Sequence, residues 1–314
     1  MGTAMARGKR TIVVVLILIS VPMAIAVVEA LSYYRDNRNN GSIISSGQER
    51  EHILYVPKSY DPAKPAPLII SMHGAGLWPA AHMEMSQWHG VAEEHGLLVV
   101  YPSGFRDVGP RVWRMGSETD VRYISDLIDA LQTSYNIDRT RIYADGLSNG
   151  GGMAFALSCT MSDRIAAVGL VASAQLLPWN WCTDQRPVPM IAFHGTEDAF
   201  TPYGGGRTIV IPPNSVRAFP SIPMWAENWA RRNRCRAQPL ETTIAADVTR
   251  RAYVGCADNA DVQLYTIHGG GHTWPGGGKM PEWFVGPMSR SVSASNEMWA
   301  FFRDHPLRSA VHGQ

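Results

Sequence analysis

The sequence predicts an α/β fold with a mostly parallel central sheet and helices on both of its faces. Short apolar runs, typical of strands buried on both sides, alternate with helical stretches along most of the chain. One run leads into Gly146-Leu147-Ser148-Asn149-Gly150, and a small-residue helical stretch follows. The 314 residues are 45% hydrophobic and 18% charged, which is enough for one large core. We therefore expect one main domain.

The predicted elements follow one another from about residue 51. Parallel sheets bind ligands in the loops at the carboxyl ends of their strands, so candidate residues are sought there. The longest irregular stretch, Thr201–Pro223, contains three consecutive glycines and is a candidate rim or lid. In chain order we predict strands at 52–56, 67–72, 97–101, 141–145, 166–172, 188–193 and 262–267, with helices at about 82–95, 121–135, from 151 and 224–233.

Residues 1–30 have the charged-then-apolar order of an export segment. Arg7, Lys9 and Arg10 precede an apolar run over residues 11–28. This run suits either a signal cleaved after Ala30 or an uncleaved membrane anchor, because about 20 apolar residues can span a bilayer. Both alternatives put the domain outside the cytoplasm, secreted, periplasmic or membrane-anchored.

The remaining boundaries follow from composition. Residues 31–50 are rich in Asn, Arg, Ser and Gly and are predicted to be a linker, 51–305 the main domain and 306–314 a tail. A net charge of +1 without a basic stripe gives no support for a nucleic-acid partner. We expect a monomer.

Four cysteines fit two disulfides in an oxidising compartment. Four cysteines allow three connectivities, and proximity along the chain favours Cys159 with Cys182 and Cys235 with Cys256. Four buried free thiols are the alternative. Because the spacing is not that of a zinc site, we expect no metal.

Ser148 is the candidate nucleophile, since a glycine-flanked serine between a strand and a helix exposes its hydroxyl at the sheet edge. The alternative is an ordinary turn. A serine needs a base, and in this architecture an acid and a histidine follow it along the chain. His272 lies in a glycine-rich loop after the last predicted strand and is the candidate base. Asp198 is the preferred acid over Glu197, because a turn from Gly195 directs the fourth residue of this loop toward the site.

Backbone N–H groups are expected to stabilise the negative charge that develops on a carbonyl oxygen. One belongs to Asn149, directly after the serine, and the other to Ala75, with Gly76 as second choice. Trp113, Tyr203 and Trp274 are candidates for a substrate pocket, with packing in the core as the alternative.

These motifs resemble the polyhydroxybutyrate depolymerase and feruloyl esterase family of secreted serine esterases, over about residues 51–305. The resemblance implies an α/β-hydrolase fold, no cofactor, and Ser148, Asp198 and His272 as the catalytic triad. It also implies pairing of Cys235 with Cys256. The chain has Ala75 where members often carry cysteine. The motifs are His73-Gly74, Val100-Tyr101-Pro102, Gly146-Leu147-Ser148-Asn149-Gly150-Gly151, His194-Gly195-Thr196-Glu197-Asp198, Tyr203-Gly204-Gly205 and Gly270-Gly271-His272-Thr273-Trp274-Pro275-Gly276.

We therefore expect an exported serine esterase that hydrolyses carboxylic esters through an acyl-enzyme, acting on a polyester such as polyhydroxybutyrate or on feruloyl or acetyl esters of polysaccharides. The alternatives are a serine peptidase on the same fold and a catalytically silent, membrane-held binding protein.

Overall fold

Ten strands form one sheet in the part of the chain that the computed structural model describes, residues 39–106, 110–207, 218–236 and 238–308. The strands are β1 (Gly41–Ser45), β2 (Gln48–Tyr55), β3 (Ala66–Met72), β4 (Leu98–Pro102), β5 (Ile137–Leu147), β6 (Val168–Val171), β7 (Met190–Gly195), β8 (Leu240–Ala245), β9 (Val248–Tyr253) and β10 (Val262–Ile267). The helices are α1 (Pro79–Ser86), α2 (Trp88–His95), α3 (Glu118–Ser134), α4 (Asn149–Thr160), α5 (Ile222–Arg232), α6 (Glu282–Val285) and α7 (Ala294–Arg303). Short 3₁₀ turns lie at Trp179–Trp181 and Ala257–Asn259.

The spatial order of the strands is β1-β2-β4-β3-β5-β6-β7-β10-β9-β8. The six central strands, from β4 to β10 in this order, pair in parallel, and the outer strands at both edges pair antiparallel. The predicted mostly parallel sheet is confirmed. Since the parallel strands all end at the same edge, the loops after β3, β5, β7 and β10 share that edge.

Helices cover both faces of the sheet, and on each face an apolar core lies between the sheet and its helices. Side chains of α3, α4 and α5 pack with one face, for example Ile124, Phe155 and Trp225. Side chains of α1, α2 and α7 pack with the other, for example Val91 and Phe302. A parallel sheet buried on both faces is what the continuous apolar strands predict.

Residues 41–50 are a correction to the sequence prediction. They were expected to belong to a linker, but β1 and the start of β2 form an antiparallel hairpin around Ser46 and Gly47. Both turn residues have positive φ, 50° and 75°, which is the conformation of a tight hairpin turn. The hairpin was missed because β1 is a short strand at the sheet edge and the first half of β2 is polar.

The predicted helix at 82–95 is two helices. α1 ends at Ser86, and Gln87 takes a left-handed conformation with φ of 58° before α2 begins at Trp88. The first helix also begins earlier than predicted, since Pro79 occupies its first turn, where the missing N–H costs no hydrogen bond.

Both disulfides have the favoured connectivity, Cys159 with Cys182 and Cys235 with Cys256. The first joins α4 to the segment after β6, and the second joins the segment after α5 to the segment after β9. Disulfides are typical of proteins in oxidising compartments.

The predicted export segment, residues 1–30, lies outside the described residues, as do residues 31–38 of the expected linker and residues 208–217 of the candidate lid. Within the described ranges, no helix combines the length and apolarity that crossing a bilayer requires.

A buried polar cluster lies beneath the carboxyl end of β5. The Ser71 hydroxyl donates to Asp145 Oδ1 at 2.6 Å, and His82 Nε2 lies 2.9 Å from the same hydroxyl, all three side chains being inaccessible to solvent. The Ser71 hydroxyl therefore joins the Asp145 carboxyl to the His82 ring. Burial raises the pKa of Asp145 to about 8, although the hydrogen bond from Ser71 lowers it.

The free energy of unfolding of the wild type should fall as the pH rises from 5 to 8, and replacing Asp145 with asparagine should abolish this fall. The folded protein keeps the Asp145 proton up to about pH 8, whereas the unfolded chain loses it near its ordinary pKa of about 3.9. The stabilisation is therefore complete below about pH 4 and is lost as the pH rises through 8, with a slope of up to about 1.4 kcal/mol per pH unit. Urea unfolding between pH 5 and pH 8 measures this slope.

Asp138 provides the matched control on the same strand. Burial raises the pKa of Asp138, but hydrogen bonds from Thr140 and Arg141 outweigh this effect and lower it. Asp138→Asn should therefore leave the slope between pH 5 and pH 8 as it is in the wild type. If Asp145→Asn and wild-type unfolding free energies ran parallel across this range, Asp145 would not be protonated in the folded protein.

Candidate active site

Ser148 stands in a sharp turn between β5 and α4. Its φ of 54° and ψ of −116° are rare for a residue with a side chain and cost on the order of 1–3 kcal/mol. Backbone hydrogen bonds hold this conformation: Ser148 N donates to Val171 O at 2.8 Å, and Gly152 N donates to Ser148 O at 2.9 Å. The turn presents a half-buried side chain at the carboxyl edge of the sheet.

The flanking glycines are required by close backbone approach. A Cβ atom on Gly146 would lie 2.3 Å from the carbonyl carbon of Gly150. A Cβ on Gly150 would lie 2.1 Å from Met72 O on the neighbouring strand β3. The glycine-serine-glycine spacing is therefore a packing requirement of this strand, turn and helix.

The structure brings His272 and Asp198 together from the loops after β10 and β7. His272 Nδ1 lies 2.8 Å from Asp198 Oδ2 and 3.0 Å from Oδ1, and both residues are buried. A carboxylate accepts hydrogen bonds, so Nδ1 carries the proton and donates. In the neutral imidazole this leaves Nε2 as an acceptor.

Two backbone N–H groups fix the Asp198 carboxylate. Phe200 N and Thr201 N both donate to Oδ1, at 2.9 and 2.8 Å, so Oδ2 faces His272. His194 Nε2 lies 3.4 Å from Oδ2 and donates to Thr201 O at 2.7 Å. Burial lowers the pKa of His194, although the nearby Asp198 raises it, so the ring is neutral at pH 7.

Glu197 has a different environment from its neighbour. Its side chain is exposed, and its N–H donates to Gly270 O at 2.9 Å. The acid that meets His272 is therefore Asp198, as the turn geometry from Gly195 predicts. A Cβ on Gly195 would lie 2.1 Å from Gly270 O, which shows how closely the two loops pack.

The loop after β3 is held by His73. Its Nδ1 donates to Gly74 O at 2.8 Å, and its Nε2 accepts from Gly104 N at 2.9 Å. Complete burial lowers the pKa of His73 to about 4, so the ring is neutral at pH 7. Because Gly74 O points toward this ring, the trans peptide directs the Ala75 N–H to the opposite side.

Trp113 links this loop to the serine turn. The Asn149 side chain accepts from Trp113 N at 2.6 Å and donates to Trp113 O at 3.0 Å. The indole N–H of Trp113 donates to His73 O at 3.0 Å. These bonds fix the segments that carry the Ala75 and Asn149 backbone N–H groups relative to each other.

Two of the three predicted pocket residues are buried in the core instead. Trp113 is 1% exposed, and Trp274 is fully buried with its N–H donating to Ser295 Oγ at 3.1 Å. A side chain enclosed in this way cannot contact a ligand, so the prediction is wrong for both. Tyr203 is half-buried, and its hydroxyl lies 2.8 Å from Thr266 Oγ1, so its role stays a prediction.

The described part of the chain contains no candidate metal site. His, Cys, Asp and Glu side chains there form no group of three that would hold a metal ion. The absence of a metal or organic cofactor remains an expectation from the sequence.

Comparison with known proteins identifies relatives of the chain, although no protein-family model matches it. Feruloyl esterase B from Piromyces equi is 31% identical over 251 residues, which cover 75% of this chain and 45% of that protein. Feruloyl esterase D from Neurospora crassa is 26% identical over 249 residues, which cover 74% of this chain and 78% of that protein. The chain is a relative of the feruloyl esterases. It spans less than half the length of the Piromyces protein.

A solved structure shows which fold this chain has. Acetyl xylan esterase from Aspergillus awamori aligns with a TM-score of 0.53 and 16% identity over 71% of this chain and 89% of that one. The present chain therefore has the α/β-hydrolase fold. The α/β-hydrolase fold that the resemblance implies is thereby confirmed. The similarity to feruloyl esterases is confirmed by the sequence relatives.

Sequence reasoning missed several residues around the site. His194 lies four residues before Asp198, at the end of an apolar strand, and was not among the predicted site residues. Phe200 lies against His272, with ring centroids 5.0 Å apart. Phe284 lies against Phe200 at 5.1 Å, although it is 84 positions away in the sequence by residue number. Of these three residues, only His194 had a signal in the sequence, namely its spacing of four residues from Asp198.

Proposed function

We propose that this domain is a carboxylic ester hydrolase that cleaves feruloyl or acetyl esters of polysaccharides through an acyl-enzyme on Ser148. The observation that carries the proposal is the Asp198–His272 pair, held in loops at the sheet edge where the strained Ser148 turn also lies. The names of the relatives, feruloyl esterases and an acetyl xylan esterase, support the substrate class.

Each residue has one role in the proposed reaction. The Ser148 oxygen attacks the ester carbonyl carbon, and its proton passes to His272 Nε2. The backbone N–H groups of Ala75 and Asn149 stabilise the negative oxygen that forms. As the ester C–O bond breaks, His272 gives its proton to the leaving alcohol.

Water completes the cycle. His272 takes a proton from water, whose oxygen attacks the acyl-enzyme, and the acid leaves as Ser148 regains its proton. Asp198 remains ionised throughout, fixes the Nδ1–H tautomer and stabilises the imidazolium. The domain is proposed to act as a monomer. Its proposed location outside the cytoplasm is supported by its two disulfides and by the charged-then-apolar order of residues 1–30.

A substrate panel tests this proposal. The purified full-length protein is incubated with methyl ferulate, acetylated xylan, polyhydroxybutyrate granules and a peptide library, and released acids or new amino groups are measured. We expect ferulate or acetate release and labelling of Ser148 by a fluorophosphonate probe. Peptide cleavage without ester cleavage would indicate a peptidase, polyester cleavage alone would change the substrate class, and no labelling of folded protein would indicate a silent binding protein.

A further inference from the structure

Trp283 and Phe284 are exposed in a way that sets them apart from the other aromatic residues. They are 88% and 55% exposed, whereas every other Trp, Phe and Tyr in the described ranges is buried or half-buried. Adjacent exposed aromatic side chains on a soluble domain typically mark a ligand or partner surface. We call these two residues the aromatic platform.

The platform is attached to the His272 loop. The Phe284 ring contacts Phe200 with centroids 5.1 Å apart, and Phe200 contacts the His272 ring at 5.0 Å. The backbone is joined as well, because His272 N donates to Val285 O at 2.6 Å. The platform is thus a continuation of the histidine side of the candidate site.

Glycine at position 271 permits this attachment. A Cβ there would lie 2.2 Å from Val285 O, so a side chain would push α6 away from the loop. Within α6, Phe284 N and Val285 N both donate to Pro281 O, at 2.8 and 3.1 Å. These bonds hold the aromatic platform in place beside His272.

The chemistry of the reaction determines which part of the substrate lies here. His272 gives its proton to the leaving alcohol, so the alcohol must be next to His272 when the ester bond breaks. The acyl group stays on Ser148, next to the N–H groups of Ala75 and Asn149. A surface that continues outward from His272 therefore lies on the alcohol side.

In a polysaccharide ester the leaving alcohol is a sugar ring within a long chain. A pyranose has faces lined by C–H groups and a rim of hydroxyls. A flat, exposed indole can cover such a face while the hydroxyls remain in water, which is how aromatic side chains contribute to mixed apolar and polar surfaces.

We propose that Trp283 and Phe284 bind the polysaccharide chain on the leaving-alcohol side of the ester, with Trp283 stacking on a sugar ring. This assignment rests on the proposed ester hydrolase function. It is specific for the alcohol part of the substrate and independent of whether the acyl group is feruloyl or acetyl.

Kinetics of Trp283→Ala with three substrates test the platform. For acetylated xylan we expect kcat/KM to fall about 10-fold, mainly through KM. For ethyl acetate and methyl ferulate, whose alcohols are too small to reach the platform, we expect less than about a twofold change. Trp283→Tyr, which keeps a flat ring, should recover most of the activity on xylan.

A binding measurement complements the kinetics. Migration in native gels that contain unsubstituted xylan requires no turnover, and wild-type protein should be retarded more than Trp283→Ala. Ile44→Ala is the matched control, because Ile44 is a 70% exposed apolar residue on the opposite edge strand β1. It should behave as the wild type in every assay.

Three outcomes would overturn the assignment. Equal losses on xylan and ethyl acetate would mean that Trp283 only supports the His272 loop. A loss confined to methyl ferulate would assign the platform to the acyl group. Equal gel retardation of wild type and Trp283→Ala would mean that Trp283 does not contact the sugar chain. Failure of the proposed function would appear differently, as a wild-type protein that hydrolyses none of the three esters.

Discussion

Replacing Ser148 with alanine should lower kcat for methyl ferulate by about 10⁵-fold or more, because the acyl-enzyme can no longer form. The residual rate should come only from substrate binding and the backbone N–H groups that stabilise the oxyanion. KM should change little, since the alanine removes one oxygen atom and the turn around it is fixed by backbone hydrogen bonds. Ferulate release, followed with high enzyme concentration, measures the residual rate.

Ser158→Ala is the control for this substitution. Ser158 lies on α4, the helix that begins directly after Ser148, and its buried hydroxyl donates to Phe155 O at 2.7 Å. This variant loses a serine oxygen from the same helix, about 15 Å along it from Ser148, without touching the proposed reaction. Its kcat should therefore stay within about twofold of the wild type. Activity of Ser148→Ala within tenfold of the wild type would exclude Ser148 as the nucleophile.

The central sheet and the serine turn could be predicted because their signals are local. Buried parallel strands such as β3 and β7 are continuous apolar runs, and a turn as tight as that at Ser148 admits only glycine at 146 and 150. Asp198 and His272 followed from the order of the loops along the chain. These features depend on nearest neighbours in sequence or on topology, which the sequence expresses directly.

The edge strands could not be predicted in the same way. Five of the six residues of β8 are exposed, so the strand has no buried face to produce an alternating pattern. Its strand conformation comes from pairing with β9, which pairs in turn with β10. Such strands are defined by tertiary contacts rather than by their own composition.

Aromatic residues were assigned wrongly for a related reason. Trp113 and Trp274 are enclosed in the core, whereas Phe284 comes from α6 to contact Phe200 beside His272. The side chain of a tryptophan suits a core and a binding surface equally well. Only the packing of the loop after β10 against α6 distinguishes the two.

Asp198→Asn should lower kcat by about 10⁴-fold while the fold is kept, because it reverses the hydrogen bond to the histidine. In the wild type, Phe200 N and Thr201 N donate to Oδ1, and Oδ2 accepts from His272 Nδ1. An asparagine must keep its oxygen toward the two backbone donors, so its NH₂ group replaces Oδ2. The amide then donates to His272 Nδ1, and the ring proton moves to Nε2, where it blocks acceptance of the Ser148 proton.

Glu197→Gln separates this effect from a general loss of charge at the loop. Glu197 is adjacent, exposed and without a contact to the His272 ring among the described hydrogen bonds, so its variant should keep kcat within about twofold. The rate of Ser148 labelling by a fluorophosphonate should fall with kcat in Asp198→Asn and stay normal in Glu197→Gln, since labelling needs the same proton transfer. Equal effects of the two variants would mean that the carboxylates act through the electrostatic field of the loop, and the tautomer of His272 would then not depend on Asp198.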